Sequence, residues 1–264
     1  MKFGCCTSAA NAGLLANAGY DYIELGVSSD LKPLETEASP VDALKSILKT
    51  ADLPVEAFNL FVPGSLKITG PERRIDLLKD YVAVAAERAA ELGGKVIVFG
   101  SGGARQVPSG YDFEIAEREI VTFLRDIADI LAANGIELAI EPLQRSECNI
   151  INSVAEGAAI VKRVGRTDVI NVLSDQYHVL SDKQSYDETA NAGSMLRHVH
   201  VALGADRHPP TLTDLSELAA YFRALKSAGY DRRVSIEANW KDLYRDAADA
   251  LSVLKLAWAE AGPK

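Results

Sequence analysis

Residues 136–152 carry the stretch IELAIEPLQRSECNIIN, which joins a buried strand to a polar loop. Alternating apolar residues at 136–140 follow the helix-ending pair Asn134-Gly135, and this pattern is typical of a β-strand. The strand is closed by an acidic residue and a proline, so Glu141 is predicted to lie at its carboxyl end. Ligands of parallel α/β folds collect at the carboxyl ends of strands, and Glu141 is therefore a candidate site residue.

Similar strand-and-helix units recur along the whole chain. Strands are predicted at residues 2–6, 20–24, 55–61, 95–99, 136–140, 169–173, 198–201 and 234–237. Longer helices are predicted at residues 71–92, 113–133, 153–164, 214–228 and beyond 243, and a short one near 184–192. The alternation favours a single (β/α)8 TIM barrel, an α/β fold, forming one domain over residues 1–264.

A doubly wound open sheet is the alternative architecture. It would normally place a glycine-rich dinucleotide-binding turn after the first strand. The sequence there is Cys5-Cys6-Thr7-Ser8, which is not such a turn. The barrel is therefore the preferred prediction.

Bulk composition excludes several classes of function. The net charge of −9 argues against a nucleic-acid groove, which depends on clustered Lys and Arg. No apolar run approaches the roughly 20 residues of a membrane helix, and the amino terminus lacks a secretory signal pattern. The cysteines Cys5, Cys6 and Cys148 form neither a disulfide framework nor a zinc-ribbon spacing. We expect a cytoplasmic protein that binds neither nucleic acid nor membrane.

Four predicted strands in succession end in residues that can bind a metal ion. They are Glu141, Asp175, His200 and Glu237. Any one of them alone would be explained as an acceptor of loop hydrogen bonds. Together, two Glu, one Asp and one His form a mostly oxygen site that suits Mn²⁺, Mg²⁺ or Co²⁺ better than a thiolate zinc site would. We expect one divalent ion, with Mn²⁺ preferred.

The other histidines differ in their expected surroundings. His178 follows Asp175 by three residues, within reach of the same cavity. His198 and His200 alternate along one strand and face the same side, with His198 deeper in the barrel, as a supporting or core residue. His208 lies in a proline-rich loop and is expected to be solvated.

With these residues identified, the chain resembles the xylose-isomerase-like barrel superfamily, and within it the ketose 3-epimerases of the tagatose and psicose type. The resemblance covers nearly the whole chain and is sharpest in IEPLQRSECNIIN, LSDQYH, HVHVALGADR and SIEAN. It implies one divalent ion bound by the same four residues. It also implies that the substrate is contacted by Glu147, His178 and Arg207, the last one residue further along than in those epimerases. Relatives of this kind are often homo-oligomers, so a dimer or a tetramer is expected.

The chemistry of such a site is coherent. A metal ion that binds a ketose through its carbonyl and a neighbouring hydroxyl stabilises the enediolate formed when a proton leaves the adjacent carbon. If Glu141 and Glu237 flank the sugar as the catalytic acid and base, proton removal on one face and return on the other inverts C3. If one group moves the proton between C1 and C2, the product is an aldose.

Two further segments are candidates for substrate recognition. The glycine-rich stretch from Phe99 to Gly110 should hang over the same face, either as a flexible lid or, through its amides and Arg105, as a phosphate site. Phe58, Asn59 and Phe61 lie at the end of the third strand. They are expected either to line the sugar pocket or to pack in the core.

Three rival functions share parts of this pattern. An isomerase acting on an aldose, on hydroxypyruvate or on an inositol-derived ketone would use the same ion and carboxylates. A nuclease of the endonuclease IV type needs three zinc ions, more histidines than the four present, and a basic face. A non-catalytic sugar-binding barrel would be expected to lose an acid/base Glu, yet both are present.

Overall fold

The computed structural model describes residues 1–35 and 39–262, and in this part of the chain eight parallel strands close into a barrel. The strands are β1 Lys2–Cys6, β2 Tyr22–Gly26, β3 Val55–Asn59, β4 Val96–Phe99, β5 Glu137–Ile140, β6 Ile170–Asp175, β7 Leu196–Val201 and β8 Arg233–Ile236. Each strand pairs with the next in sequence, and β8 pairs with β1 from Lys2 opposite Arg233 to Cys5 opposite Ile236. The (β/α)8 prediction is confirmed.

Helices connect the strands. They are α1 Ala12–Ala18, α2 Val41–Ala51, α3 Ile75–Glu91, α4 Gly102–Arg105, α5 Phe113–Ala133, α6 Val154–Val164, α7 Gln176–Ser181, α8 Asp187–Ala192, α9 Leu215–Ser227 and α10 Leu243–Glu260. Short 3₁₀ segments lie at Ala9–Asn11, Gly193–Met195 and Leu212–Asp214, and a π-helical turn lies at Val27–Leu31. The described helices include none long and apolar enough to cross a membrane.

The predicted short helix near residues 184–192 corresponds to α8, which begins at Asp187 and ends at Ala192. Helix α7 was not predicted, and β6 runs two residues further than predicted, to Asp175. The Asp175 side chain caps α7 by accepting a hydrogen bond from the Tyr177 amide at 2.8 Å. The predicted ligand therefore ends a strand and begins a helix. Helix α3 also begins at Ile75 rather than at residue 71.

The barrel interior changes character along its axis. The middle is filled by a cluster of apolar and aromatic residues from five strands: Tyr22, Ala57, Val96, Val98, Ala139 and Leu173. At the amino ends of the strands, Glu56 pairs with Lys2 and with Arg233, which joins β3 to β1 and β8. Polar side chains return at the carboxyl ends. The candidate site therefore lies at the carboxyl ends of the strands, directly above a closely packed apolar layer.

Candidate active site at the carboxyl ends of the strands

The four predicted metal ligands meet at the mouth of the barrel. Glu141, Asp175, His200 and Glu237 each offer one ligand atom, and these atoms all lie within 4.8 Å of one another. Glu141 and Glu237 directly follow β5 and β8, whereas Asp175 and His200 lie at the ends of β6 and β7. Parallel strands in one barrel bring residues that are far apart in sequence to one ring of positions.

The imidazole of His200 divides its two nitrogens between two groups of carboxylates. Nδ1 lies 3.3 Å from Glu141 Oε1 and 3.2 Å from Glu237 Oε2, whereas Nε2 lies 2.9 Å from Glu24 Oε1. Burial disfavours the imidazolium, but the charges of Glu24 and Glu237 outweigh it, so the pKa of His200 is raised well above its ordinary value. His200 therefore connects Glu24 on one side of its ring with Glu141 and Glu237 on the other.

The two predicted catalytic carboxylates have different surroundings. Burial is the main reason why the pKa of Glu141 is raised. Burial acts in the same direction on Glu237, but His200 and Arg207 overcome it and lower the pKa of Glu237 to about 2. Glu237 Oε1 also accepts a hydrogen bond of 2.7 Å from the amide of Asn59. The surroundings therefore shift the pKa values of the two carboxylates in opposite directions.

Arg207 is fixed in the mouth by contacts on every side. Its guanidinium forms an ion pair with Glu237 and lies 3.2 Å from Asp175 Oδ2. Its Nε donates to the Glu237 carbonyl at 3.0 Å, and its guanidinium carbon Cζ lies 4.7 Å from the centre of the Tyr177 ring. Arg207 has a positive φ of 54°, a conformation that non-glycine residues rarely adopt.

A cavity of about 310 Å³ opens above this cluster. Its walls include the predicted catalytic pair and all three predicted substrate contacts: Glu141, Glu147, His178, Arg207 and Glu237. His178 Nδ1 accepts the Gln144 amide at 3.3 Å, which leaves Nε2 as the protonated nitrogen, 3.5 Å from Asp175 Oδ2. The structure brings the predicted site residues together, and their individual roles stay predictions.

The proposal of a phosphate site at Arg105 is wrong. Arg105 is fully buried, and it donates to the carbonyls of Gly100, Ile150 and Glu141 at 2.6, 2.6 and 2.7 Å. Its guanidinium is used to fasten the end of β4 to the loop after β5. The segment is partly helical, as α4, and its Gly100, Ser101 and Gly102 line the cavity.

The three residues at the end of the third strand divide between the two expectations. Phe58 and Phe61 are fully buried in the apolar core between barrel and helices, so they do not line the pocket. Asn59 does line it and holds Glu237. His208, expected to be solvated, is half-buried, and its Nδ1 lies 2.9 Å from the Pro209 carbonyl.

Sequence reasoning missed Glu24. Glu24 is the middle residue of β2, and its fully buried carboxylate contacts both His198 and His200, at 2.8 and 2.9 Å. A signal was present, because Glu24 is the last residue of the second predicted strand, just as Glu237 is the last residue of the eighth. His198 lies below His200, fully buried, as predicted.

The ligand cluster fits a divalent ion. Three carboxylates and one imidazole nitrogen are hard or borderline donors, a set that Mn²⁺, Mg²⁺ and Co²⁺ accept. His200 turns one nitrogen toward these carboxylates and the other toward a separate acceptor, an arrangement common for metal-binding histidines. Glu141, Asp175, His200 and Glu237 would hold the ion.

Comparison with known families agrees with this geometry. The family described as xylose isomerase-like TIM barrel matches residues 12–255. The chain belongs to this family. Within the xylose isomerase-like barrels, the chain is 25% identical to an L-ribulose 3-epimerase from Methylomonas sp. strain DH-1 over 254 residues, which cover 89% of this chain and 84% of that protein.

Two further known proteins are similar to this chain. A D-psicose 3-epimerase from Agrobacterium fabrum strain C58 is 38% identical over 87 residues, a segment that spans 33% of this chain and only 30% of that protein. The solved structure of D-psicose 3-epimerase with D-tagatose from Clostridium cellulolyticum H10 superposes with a TM-score of 0.82 at 19% identity, covering 98% of this chain and 99% of that one. The named relatives are epimerases, which are enzymes of the isomerase class.

Proposed function

We propose that the protein is a divalent-metal-dependent epimerase that inverts C3 of a free ketose, with Glu141 and Glu237 as the acid/base pair. The observation that carries the proposal is the convergence of four ligand atoms within 4.8 Å of one another at the floor of a sugar-sized cavity. The epimerase names of the relatives support the same reaction class.

The carboxylates approach the cavity from different strands. Glu141 follows β5 and Glu237 follows β8, with β6 and β7 between them. One carboxylate removes the C3 proton from one face of the sugar, and the other returns a proton to the opposite face. In the reverse reaction the two exchange roles. A divalent ion, Mn²⁺ by preference, supplies polarisation of the neighbouring carbonyl and stabilises the charge that develops there.

Three side chains would orient the sugar. His178 presents a protonated Nε2 toward the cavity, and Glu147 presents carboxylate oxygens, one of which accepts from Gln144 at 2.7 Å. Arg207 has donors that face the same space. Together they offer donors and acceptors for vicinal hydroxyl groups, which is what distinguishes one ketose from another.

The charge of the cavity favours a sugar without a phosphate. Among the described residues that line it, Arg207 is the one cationic side chain, and it is already paired with Asp175 and Glu237. Glu141, Glu147 and Glu237 also line the cavity, so a phosphate dianion would face three carboxylates. We therefore propose a free ketose as the substrate.

Deuterium exchange tests the proposal. The Mn²⁺-loaded protein is incubated in deuterated water with free ketoses, with the matching ketose phosphates and with aldoses, and the label is located by NMR. Label at C3 together with an epimeric ketose is the expected result. Label at C1 or C2 with an aldose or keto-acid product would establish an isomerase instead. Absence of exchange from every sugar would favour a non-catalytic barrel.

A further inference from the structure

Glu24 occupies an unusual position for a carboxylate that does not face the cavity. It is fully buried, and it lies between the two histidines of β7, with Oε1 2.9 Å from His200 Nε2 and Oε2 2.8 Å from His198 Nε2. Burying a carboxylate is costly unless it is paired and hydrogen-bonded. The partners that offset the cost of burying Glu24 therefore indicate its role in the structure.

The two histidines can both donate to Glu24. An ionised carboxylate only accepts hydrogen bonds, so each neighbouring Nε2 must carry a proton. His198 Nδ1 has no partner among the described residues, so its ring proton is free to lie on Nε2. In the ion-free site the raised pKa of His200 means that both ring nitrogens carry protons. When an ion takes the place of the Nδ1 proton, a proton held on Nε2 by Glu24 leaves the Nδ1 lone pair directed at the position that Glu141 and Glu237 face.

Glu24 is itself held in place by a second layer of contacts. The Ser235 hydroxyl donates to Glu24 Oε2 at 2.5 Å, and the Tyr22 hydroxyl lies 2.7 Å from the Ser235 hydroxyl. The Tyr22 ring crosses the barrel over Gly4, where any Cβ would overlap with it. The network runs from β2 through β8 to β7 and fixes the carboxylate in one orientation.

A second metal site at this position is the alternative. Cys6, Glu24 and His200 also bring three donor atoms close together. However, Glu24 Oε1 is used by His200, and Oε2 is used by His198 and Ser235. Cys6 Sγ lies 4.0 Å from His200 Nε2 and is a weak partner. The contacts favour a hydrogen-bonding role for Glu24.

We propose that Glu24 is a positioning residue for the metal site: it holds the His200 ring so that Nδ1, with its lone pair, points at the ion. The proposal rests on the metal site of the proposed function. Removal of a hydrogen-bond partner behind a metal ligand typically weakens metal binding about 10–100-fold. Ser235 supports Glu24 and should contribute less.

The test measures Mn²⁺ affinity by calorimetry, without sugar, for the wild type and three variants. Glu24→Gln keeps the size of the side chain but has a single acceptor oxygen, so it cannot accept from both histidines. We expect it to weaken Mn²⁺ binding about 10–100-fold. Ser235→Ala should weaken it by a smaller factor. The matched control is Glu56→Gln, a buried glutamate at the other end of the barrel, which should leave the affinity unchanged.

Histidine NMR measures the tautomer of His200, which would not change if Glu24 served only to stabilise the fold. With four histidines in the chain, ¹⁵N-histidine labelling of the Mg²⁺-saturated protein resolves each ring. We expect His200 protonated on Nε2 in the wild type and a mixture of tautomers in Glu24→Gln. Unchanged affinity and tautomer in Glu24→Gln, or equal weakening in Glu56→Gln, would overturn the role of Glu24 alone. A wild type that binds no divalent ion would overturn the proposed function as well.

Discussion

Glu237 depends on two side chains from elsewhere in the barrel. Asn59 of β3 donates to one oxygen, and Arg207, from the loop after β7, pairs with the other. Glu141 is oriented differently, with His200 Nδ1 3.3 Å from its Oε1. Each carboxylate is therefore held by a different set of neighbours, so the effect of substituting each one can be measured separately.

Replacing either carboxylate by its amide should abolish turnover. In the proposed mechanism, Glu141→Gln and Glu237→Gln each remove a proton carrier and an ion ligand without changing side-chain volume, so we expect kcat to fall by about 10²-fold or more. Steady-state epimerisation assays with far-UV circular dichroism measure the loss and the fold. Glu137→Gln, at the opposite end of β5, is the control and should keep its activity. Near-normal turnover in either site variant would contradict the acid/base assignment.

At the level of residues, sequence predicts which candidate ligands converge better than it predicts the residues that support them. Glu141, Asp175, His200 and Glu237 were recognisable because each ends a strand, and strand ends meet in a barrel. The phosphate alternative for Arg105 arose because a sequence shows its glycine neighbours but not the carbonyls of Ile150 and Glu141 that converge on it. Glu24 was missed because its partners are 174 and 176 positions away along the chain.

At the level of elements, two features of the strands leave space for the candidate site: shifts in the pairing register and a small residue at the end of one strand. The pairing register shifts next to Glu24 on β2 and between Val172 and Leu173 on β6. Such irregularities change the direction of the side chains that follow and are frequent next to active sites. At the end of β4, Gly100 leaves space that the carboxylate of Glu141 fills.

Gly100→Ala should damage the site without damaging the fold. The new Cβ would overlap with Glu141 Oε2, so the carboxylate must move. We expect kcat/KM to fall at least about tenfold, since small displacements of catalytic groups are costly. The kinetics are compared with those of Gly13→Ala, which has open space around its Cβ in α1 and should be stabilised by about 0.5–1 kcal/mol with unchanged kinetics. Equal kcat/KM in Gly100→Ala and wild type would refute this prediction.

The elements themselves were predicted with unequal success. Helix α5 and strand β1 have the bounds that their sequence patterns predict, Phe113–Ala133 and Lys2–Cys6. Helix α7 was missed, because it has six residues, fewer than two turns, and periodicity needs a longer window. Asp175 could have been recognised as the N-cap of α7 only if the predicted sixth strand had been extended from residue 173 to residue 175.

At the level of the whole molecule, the two ends of the barrel carry different balances of charge. The amino ends are joined by ion pairs between Glu56 and its partners Lys2 and Arg233. The carboxyl ends gather the carboxylates of Glu141, Asp175 and Glu237, with His200 and Arg207 between them. A divalent ion at this end would reduce the repulsion among the carboxylates.

Metal binding should therefore raise thermal stability. At an Mn²⁺ concentration of about 100 times Kd, binding to the native state adds about 2.7 kcal/mol to the free energy of unfolding. In a chain of this size, that raises Tm by roughly 5–10 °C. Differential scanning calorimetry with Mn²⁺ and with excess chelator measures the shift, and Glu237→Gln should show a smaller one. Identical Tm values with Mn²⁺, Mg²⁺, Co²⁺ and chelator would argue against the ion site.

The pairing of β8 with β1 has a consequence for synthesis. During translation β1 emerges first among the strands and β8 last, so β1 keeps an unpaired edge until residues 233–236 leave the ribosome. Glu237 arrives with that same segment. A nascent chain that stops before it has neither a closed ring of strands nor all four candidate ligands, so closure of the barrel and assembly of the proposed ion site depend on the same segment of the chain.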